Sequence, residues 1–235
     1  MSKDQTKPNV QRRPSRAART DAAGEPPRRN ERRRLRTREA LLKAAAEIFQ
    51  ERGVDHATVA DIASRADVAH GSLYNHFSGV DEIIVVLAKQ SMNRMLDETQ
   101  AIMAEVSDPR LLPCVGARVI LRTFFRDEMI KWMLDRPHVF ADTFKEVASP
   151  FMMNFESPGI EQGVLDPAGG HAVWIRTLPW ILIGELRLAI AEAPRQALAH
   201  EESFARVCMR LLGIADQDAT NLLNVSSKLV KRHGY

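Results

Sequence analysis

The stretch that decides the fold is Thr58–Phe77, TVADIASRADVAHGSLYNHF. Thr58 and Asp61 are spaced as a capping box, in which the hydroxyl accepts from the backbone three residues on and the carboxylate reaches back. This predicts a short helix opening at Thr58, with Val59, Ile62 and Ala63 on its apolar side. Ala60 and Ala63 are small enough for a second helix to cross it closely. A tight turn near Ala66–Ala69, its junction buried by Val68, leads to another short helix, His70 to Phe77. That helix presents His70, Ser72, Tyr74, Asn75 and His76 outward. A helix of this size fits the major groove of B-DNA, with its N-terminal residues at base edges. The same pattern also describes an ordinary corner between two helices joined by four residues.

Working upstream, charge separates the two readings. Seven arginines lie directly before the motif: Arg28, Arg29, Arg32, Arg33, Arg34, Arg36 and Arg38. Residues 1–38 hold 13 Lys and Arg against four acids, a charge of +9, and the other 197 residues carry −6, so the formal +3 of the chain is a cancellation. A basic head on an acidic body suggests a polyanion partner held at one end. Residues 1–30 read as a disordered basic arm, because Pro8, Pro14, Pro26 and Pro27 sit among Ser, Ala and Arg with hardly a large apolar side chain. The arm lacks the apolar stretch of a secretory signal, which makes a cytoplasmic chain the expectation. From Glu31 the helical signals begin. Leu41, Ala45, Ile48 and Phe49 recur at helical spacing, and Gly53 follows as a stop.

With its flanks, the motif becomes REALLKAAAEIFQERGVDHATVADIASRADVAHGSLYNHFSGVDEII. This resembles the N-terminal DNA-binding domain of TetR-type transcriptional regulators over roughly Arg38–Leu87. The resemblance implies an all-α, homodimeric, mostly repressing regulator that responds to a ligand and needs no catalytic residue. It implies a helix-turn-helix domain over residues 31–80 and a helical effector-binding and dimerisation domain over 81–235. Thr58 would contact phosphate, Ser72 and Tyr74 would face DNA, and His76 would lie close to the backbone. Gly71 would let the helix approach the duplex, while Leu73 and Phe77 belong to the core. Two positions depart from the pattern. His70 stands where Lys or Arg is frequent, and Val80 where a Lys usually meets a phosphate. Residues 39–80 are net acidic as well, with Lys43, Arg52 and Arg65 against six acids. Arg32, Arg33, Arg34 and Arg36 are therefore expected to supply the missing phosphate contacts, with entry of the arm into a minor groove as one route.

Downstream, helical patterns continue to the end. Asp81 opens a long helix to about Glu105, and a helix over Cys114–Leu134 follows Pro109 and Pro113. Pro137 starts another through about Val147, with a looser stretch over Ser149–Gly163. Pro167 falls at the first turn of a helix to Ala193, ended by Pro194, and further helices span Leu198–Leu212 and Asp216–Arg232. Arg118, Arg122 and Arg126 share one helix face. They read either as an anion-selecting rim or as a solvated face. Trp132, Phe144, Met152, Trp174 and Trp180, with His138, supply adaptable apolar surface for a small hydrophobic effector, anionic if the rim is real. Any helical core needs such residues too. Ile183, Gly184 and Leu188, with Val207 and Leu211, are candidates for the dimer interface.

Composition closes off other classes. Two cysteines, Cys114 and Cys208, form no CxxC pair, and the longest apolar run, Ile83–Ala88, is far short of a membrane span. Seven histidines are scattered, and His70 and His76 do not share a helical face, so neither a metal nor a cofactor is expected. No nucleophile elbow, zinc-protease or phosphate-loop motif occurs. The rival from another class is a helical enzyme or lipid carrier whose basic arm binds polyanions non-specifically.

Overall fold

The computed structural model describes residues 29–192 and 197–234, and among them every regular element is a helix. Helix α1 spans Arg29–Arg52 and buries Leu41, Leu42, Ala44, Ala45, Ile48 and Phe49 on one side. Helix α2, Val59–Arg65, opens on the expected box. Thr58 accepts from the Asp61 amide at 3.1 Å, and Asp61 accepts the Thr58 amide at 3.2 Å. Helix α3 is regular over His70–Leu73 only, and residues 74–76 continue it as turns. Between α2 and α3 the chain reverses through Asp67, which takes a φ of 53°. Leu73 and Phe77 are buried against α1 and α2, as expected of core positions.

Helix α4, Val80–Met103, starts after Gly79 rather than on an Asp81 cap. Its N-terminal part buries Ile83, Ile84, Leu87 and Ala88 with the helix-turn-helix, and its C-terminal part buries Met95, Leu96, Thr99, Ile102 and Met103 within the larger bundle. The same rigid rod therefore belongs to both cores.

The expected helix over Cys114–Leu134 is two helices, α5 (Leu112–Arg126) and α6 (Glu128–Leu134). Asp127 breaks it. Its backbone is extended, and its carboxylate accepts from the amides of Met129 and Ile130 as a cap on α6. Helix α7, in contrast, runs unbroken over Pro137–Glu161, through Pro150 and Pro158. An interior proline costs about 3 kcal/mol. The helix is buried at Phe144 and Ala148 before Pro150 and at Glu156 and Gly159 around Pro158.

Helix α8, His171–Ala191, begins four residues later than Pro167 suggested. Gly169 and Gly170 have positive φ, and the preceding loop is stitched to the end of α9 (Ala197–Leu211) by Asp166 N–H to Leu212 O and Ala168 N–H to Leu211 O, both 2.8 Å. Gly213, at φ 78°, is fixed here. A Cβ on it would meet the Asp166 carbonyl oxygen at 2.9 Å. Helix α10, Asp216–Arg232, packs on α5 and α9. Residues 1–28 of the expected arm and the stop at Pro194 lie outside the described residues, and α1 begins at Arg29, two residues before the helical signals expected from Glu31. No helix among the described residues is long and apolar enough to cross a membrane.

Candidate functional site

The reading face is built by α2 and α3. His70, Gly71, Tyr74 and Asn75 are exposed and Ser72 half-exposed, with the His70 and Tyr74 rings edge-on at 5.7 Å. Tyr74 is 56% exposed, a large apolar ring that the fold makes no use of. A Cβ on Gly71 would touch nothing within 4 Å, so the chain's own packing does not require glycine there. Thr58 is exposed beside this face at the start of α2.

The motif's own cations are occupied. Arg65 makes a two-pronged bond to Glu51, both arms 2.9 Å, and Arg52 lies 3.6 Å from Asp61. These pairs fasten α2 to α1 and leave little charge for a phosphate. Arg32, Arg33, Arg34 and Arg36 are all exposed on the first turns of α1. Arg38 stacks its guanidinium over Phe77 at 4.7 Å. His76 is half-buried, and burial, with the nearby positive charges of Arg34 and Arg38, lowers its pKa. It stands as a neutral ring against which the arginine row ends.

The second feature is a cavity of about 50 Å³ enclosed by α4, α5, α7, α8 and α9. Its walls include Met95, Phe144, Met152, Trp174 and Phe204. Two polar groups interrupt them. Thr99, on α4, donates its hydroxyl to the Met95 carbonyl at 2.8 Å. Glu156, on α7, is 3% exposed and accepts Trp174 Nε1–H at 3.1 Å on both oxygens. Its Oε2 also meets His171 Nε2 at 2.8 Å. Burial pushes the Glu156 carboxyl up from the ordinary range, against the lowering by its Trp174 and His171 hydrogen bonds. No Lys, Arg or His lines this cavity.

Residues 41–86 match the family of bacterial regulatory proteins, tetR family. Over these residues the chain is similar to that family's DNA-binding domain. The uncharacterized HTH-type transcriptional regulator YvdT of Bacillus subtilis is 35% identical over 60 residues, which cover 26% of this chain and 31% of YvdT. The chain spans about a third of the length of the curated relatives it matches. The structure of RolR in complex with resorcinol matches with a TM-score of 0.72 at 18% identity, covering 82% of this chain and 95% of RolR. Thermus thermophilus FadR in complex with lauroyl-CoA matches with a TM-score of 0.64 at 21% identity, covering 76% and 96%.

Within this fold the expected effector residues separate. Phe144, Met152 and Trp174 come together on the cavity wall. None of Arg118, Arg122 and Arg126 lines this cavity, and Arg122 and Arg126 instead border a separate, more open pocket of about 620 Å³ with Asp127 and His233. Arg118 and Arg122 both bind Glu201 of α9, Arg122 through Nε at 2.6 Å and Nη2 at 2.9 Å. Arg118, 4% exposed, also donates to Ser226 Oγ at 3.0 Å and the Leu223 carbonyl at 3.1 Å, which ties α5 to α9 and α10. Trp132 is buried under the Arg136 guanidinium at 3.8 Å, and His138 meets the exposed Trp180 edge-on at 5.6 Å, away from the cavity. Of the interface candidates, Gly184, Leu188 and Val207 face outward and Leu211 is half-buried, while Ile183 is buried in the protomer's own core. Sequence reading missed Glu156 and Thr99. A carboxylate among Phe, Met and Pro in a segment read as loose was the available signal. Among the described residues no cluster of three His, Cys, Asp or Glu side chains could hold a metal ion.

Proposed function

We propose that the chain is a ligand-responsive, sequence-specific DNA-binding regulator, a cytoplasmic homodimeric repressor released from its operator by a small hydrophobic effector. One observation carries the reading: an exposed face of His70, Gly71, Tyr74 and Asn75 with no internal role, flanked by the exposed arginines of α1. Each protomer would set α3 into the major groove, with half-sites about 34–36 Å apart. The outward surfaces of α8 and α9, where Leu188 is 55% exposed beside Gly184 and Val207, support a paired assembly. Effector binding between α4 and α7 would displace α4, whose other end is buried with the helix-turn-helix. A coupling of about 1–3 kcal/mol would weaken operator affinity roughly 5–150-fold.

The neighbours RolR and FadR carry resorcinol and lauroyl-CoA in their complexes. They support an effector in the larger domain without fixing its chemistry here. The test is fluorescence anisotropy on DNA flanking the chain's own gene, against scrambled DNA of equal length at physiological salt. Preference for the flanking DNA by about three orders of magnitude is the expected result. Equal affinity for both sequences would sink the regulator reading in favour of a non-specific polyanion binder.

A further inference from the structure

The cavity's polar groups all point one way. Thr99 has given its hydroxyl hydrogen to the Met95 carbonyl, so its oxygen is left as an acceptor. Each carboxylate oxygen of Glu156 can accept two hydrogen bonds. Oε2 receives both Trp174 and His171, while Oε1 receives Trp174 alone and keeps a vacant acceptor site. The Trp174 N–H is committed to Glu156, which leaves the weak thiol donor of Cys208 as the remaining side-chain donor on the wall. A ligand that fits must therefore bring the hydrogens.

Charge narrows the class further. No cationic side chain lines the cavity, so a carboxylate, phosphate or other anion would be buried beside Glu156 without compensation. Glu156 is already engaged by His171 Nε2 at 2.8 Å. A ligand ammonium would have to compete with that imidazole for the one carboxylate. Size narrows it once more. The cavity of about 50 Å³ has room for a few waters, whereas a single benzene ring occupies a cavity of about 150 Å³. Opening that much is within reach of Met95, Met152 and Phe151. The two methionines are unbranched and adaptable, and Met152 and Phe151 are half-buried at the margin. Phe144, Phe204 and Trp174 then offer aromatic walls.

We infer that this cavity takes a compact, uncharged aromatic alcohol, a phenol, whose hydroxyl hydrogens are donated to Glu156 Oε1 and Thr99 Oγ1. The inference rests on the regulator reading only for the biological use of the site. The recognition itself is a property of the bundle.

The experiment is calorimetric titration of the full chain, without DNA, with four single-ring probes: resorcinol, m-xylene, benzoate and benzylamine. Resorcinol binds, and m-xylene, of similar shape without hydroxyls, binds at least about tenfold more weakly, because a buried acceptor left without its donor is costly. Benzoate and benzylamine bind more weakly than resorcinol as well. Glu156→Gln and Thr99→Val each lower resorcinol affinity about fivefold or more and leave m-xylene unchanged. If Glu156→Gln does not fold, as followed by circular dichroism, Thr99→Val carries the test. Equal binding of resorcinol and m-xylene, preference for either charged probe, or no binding of resorcinol would overturn the inference. So would resorcinol affinity unchanged in Thr99→Val. Resorcinol that binds but leaves the operator complex intact would instead count against ligand-controlled release, and leave the cavity's chemistry standing.

Discussion

At the level of single residues, Gly71 separates what the fold needs from what DNA would need. It occupies the first turn of α3, where alanine is the better helix former by about 1 kcal/mol. The backbone is in an ordinary helical conformation, and an added Cβ would meet only open space. Gly71→Ala is thus expected to leave stability unchanged or raise it by up to about 1 kcal/mol in urea unfolding. Operator affinity should move the other way, falling about tenfold as the methyl group holds α3 off the duplex. A variant that binds its operator as well as the parent would show that the face does not approach DNA closely. Tyr74 and Asn75 are likewise exposed on this face. His76 differs. It is half-buried, and burial with the nearby charges of Arg34 and Arg38 lowers its pKa.

Among the elements, the ones legible in the sequence were those specified locally. The capping box at Thr58 and Asp61, the stop at Gly53 and the apolar period of α1 each depend on residues within a turn or two of one another. The errors came where tertiary packing overrode local preference. Ser149–Gly163 read as a looser stretch, yet α7 continues through Pro150 and Pro158 to Glu161, with Glu156 and Gly159 buried. The expected helix over Cys114–Leu134 is interrupted at Asp127, which caps α6 and accepts a hydrogen bond from Ser91 of α4. The arginines of α5 were the deepest misreading. Their four-residue spacing marks a shared face, but the partner that defines that face, Glu201, lies 83 residues from Arg118. Nothing local announces it. This buried junction yields a stability prediction. Glu201→Ala strands Arg118 in the core and should cost about 3–5 kcal/mol. Glu202→Ala, one residue on, removes only an exposed pair with Arg206 and should cost less than about 0.5 kcal/mol. Comparable losses for the two in denaturant titrations would mean that α5, α9 and α10 are not joined through Glu201.

Across the whole molecule, the charge division acquires a position. The formal +3 of the chain conceals +9 over residues 1–38 and −6 elsewhere. The described part of that basic segment is a continuous helix leading into the helix-turn-helix, so its charge is held in a fixed relation to α3. Within the motif Arg52 and Arg65 are bound to acids of the same domain, which leaves α1 as the main source of cations for phosphate. Each phosphate contact contributes about 0.9 to the slope of log affinity against log salt. Replacing Arg32, Arg33, Arg34 and Arg36 together by alanine should therefore flatten that slope by up to about 3.6. The loss should be nearly the same on operator and scrambled DNA, because phosphates carry no sequence. Alanine favours helix, and the four side chains are exposed, so α1 should persist in circular dichroism. Arg206→Ala, on α9, is the control and should leave the slope as it was. An unchanged slope in the fourfold variant would return the phosphate contacts to the motif itself, and would require Arg52 and Arg65 to abandon Asp61 and Glu51 on DNA.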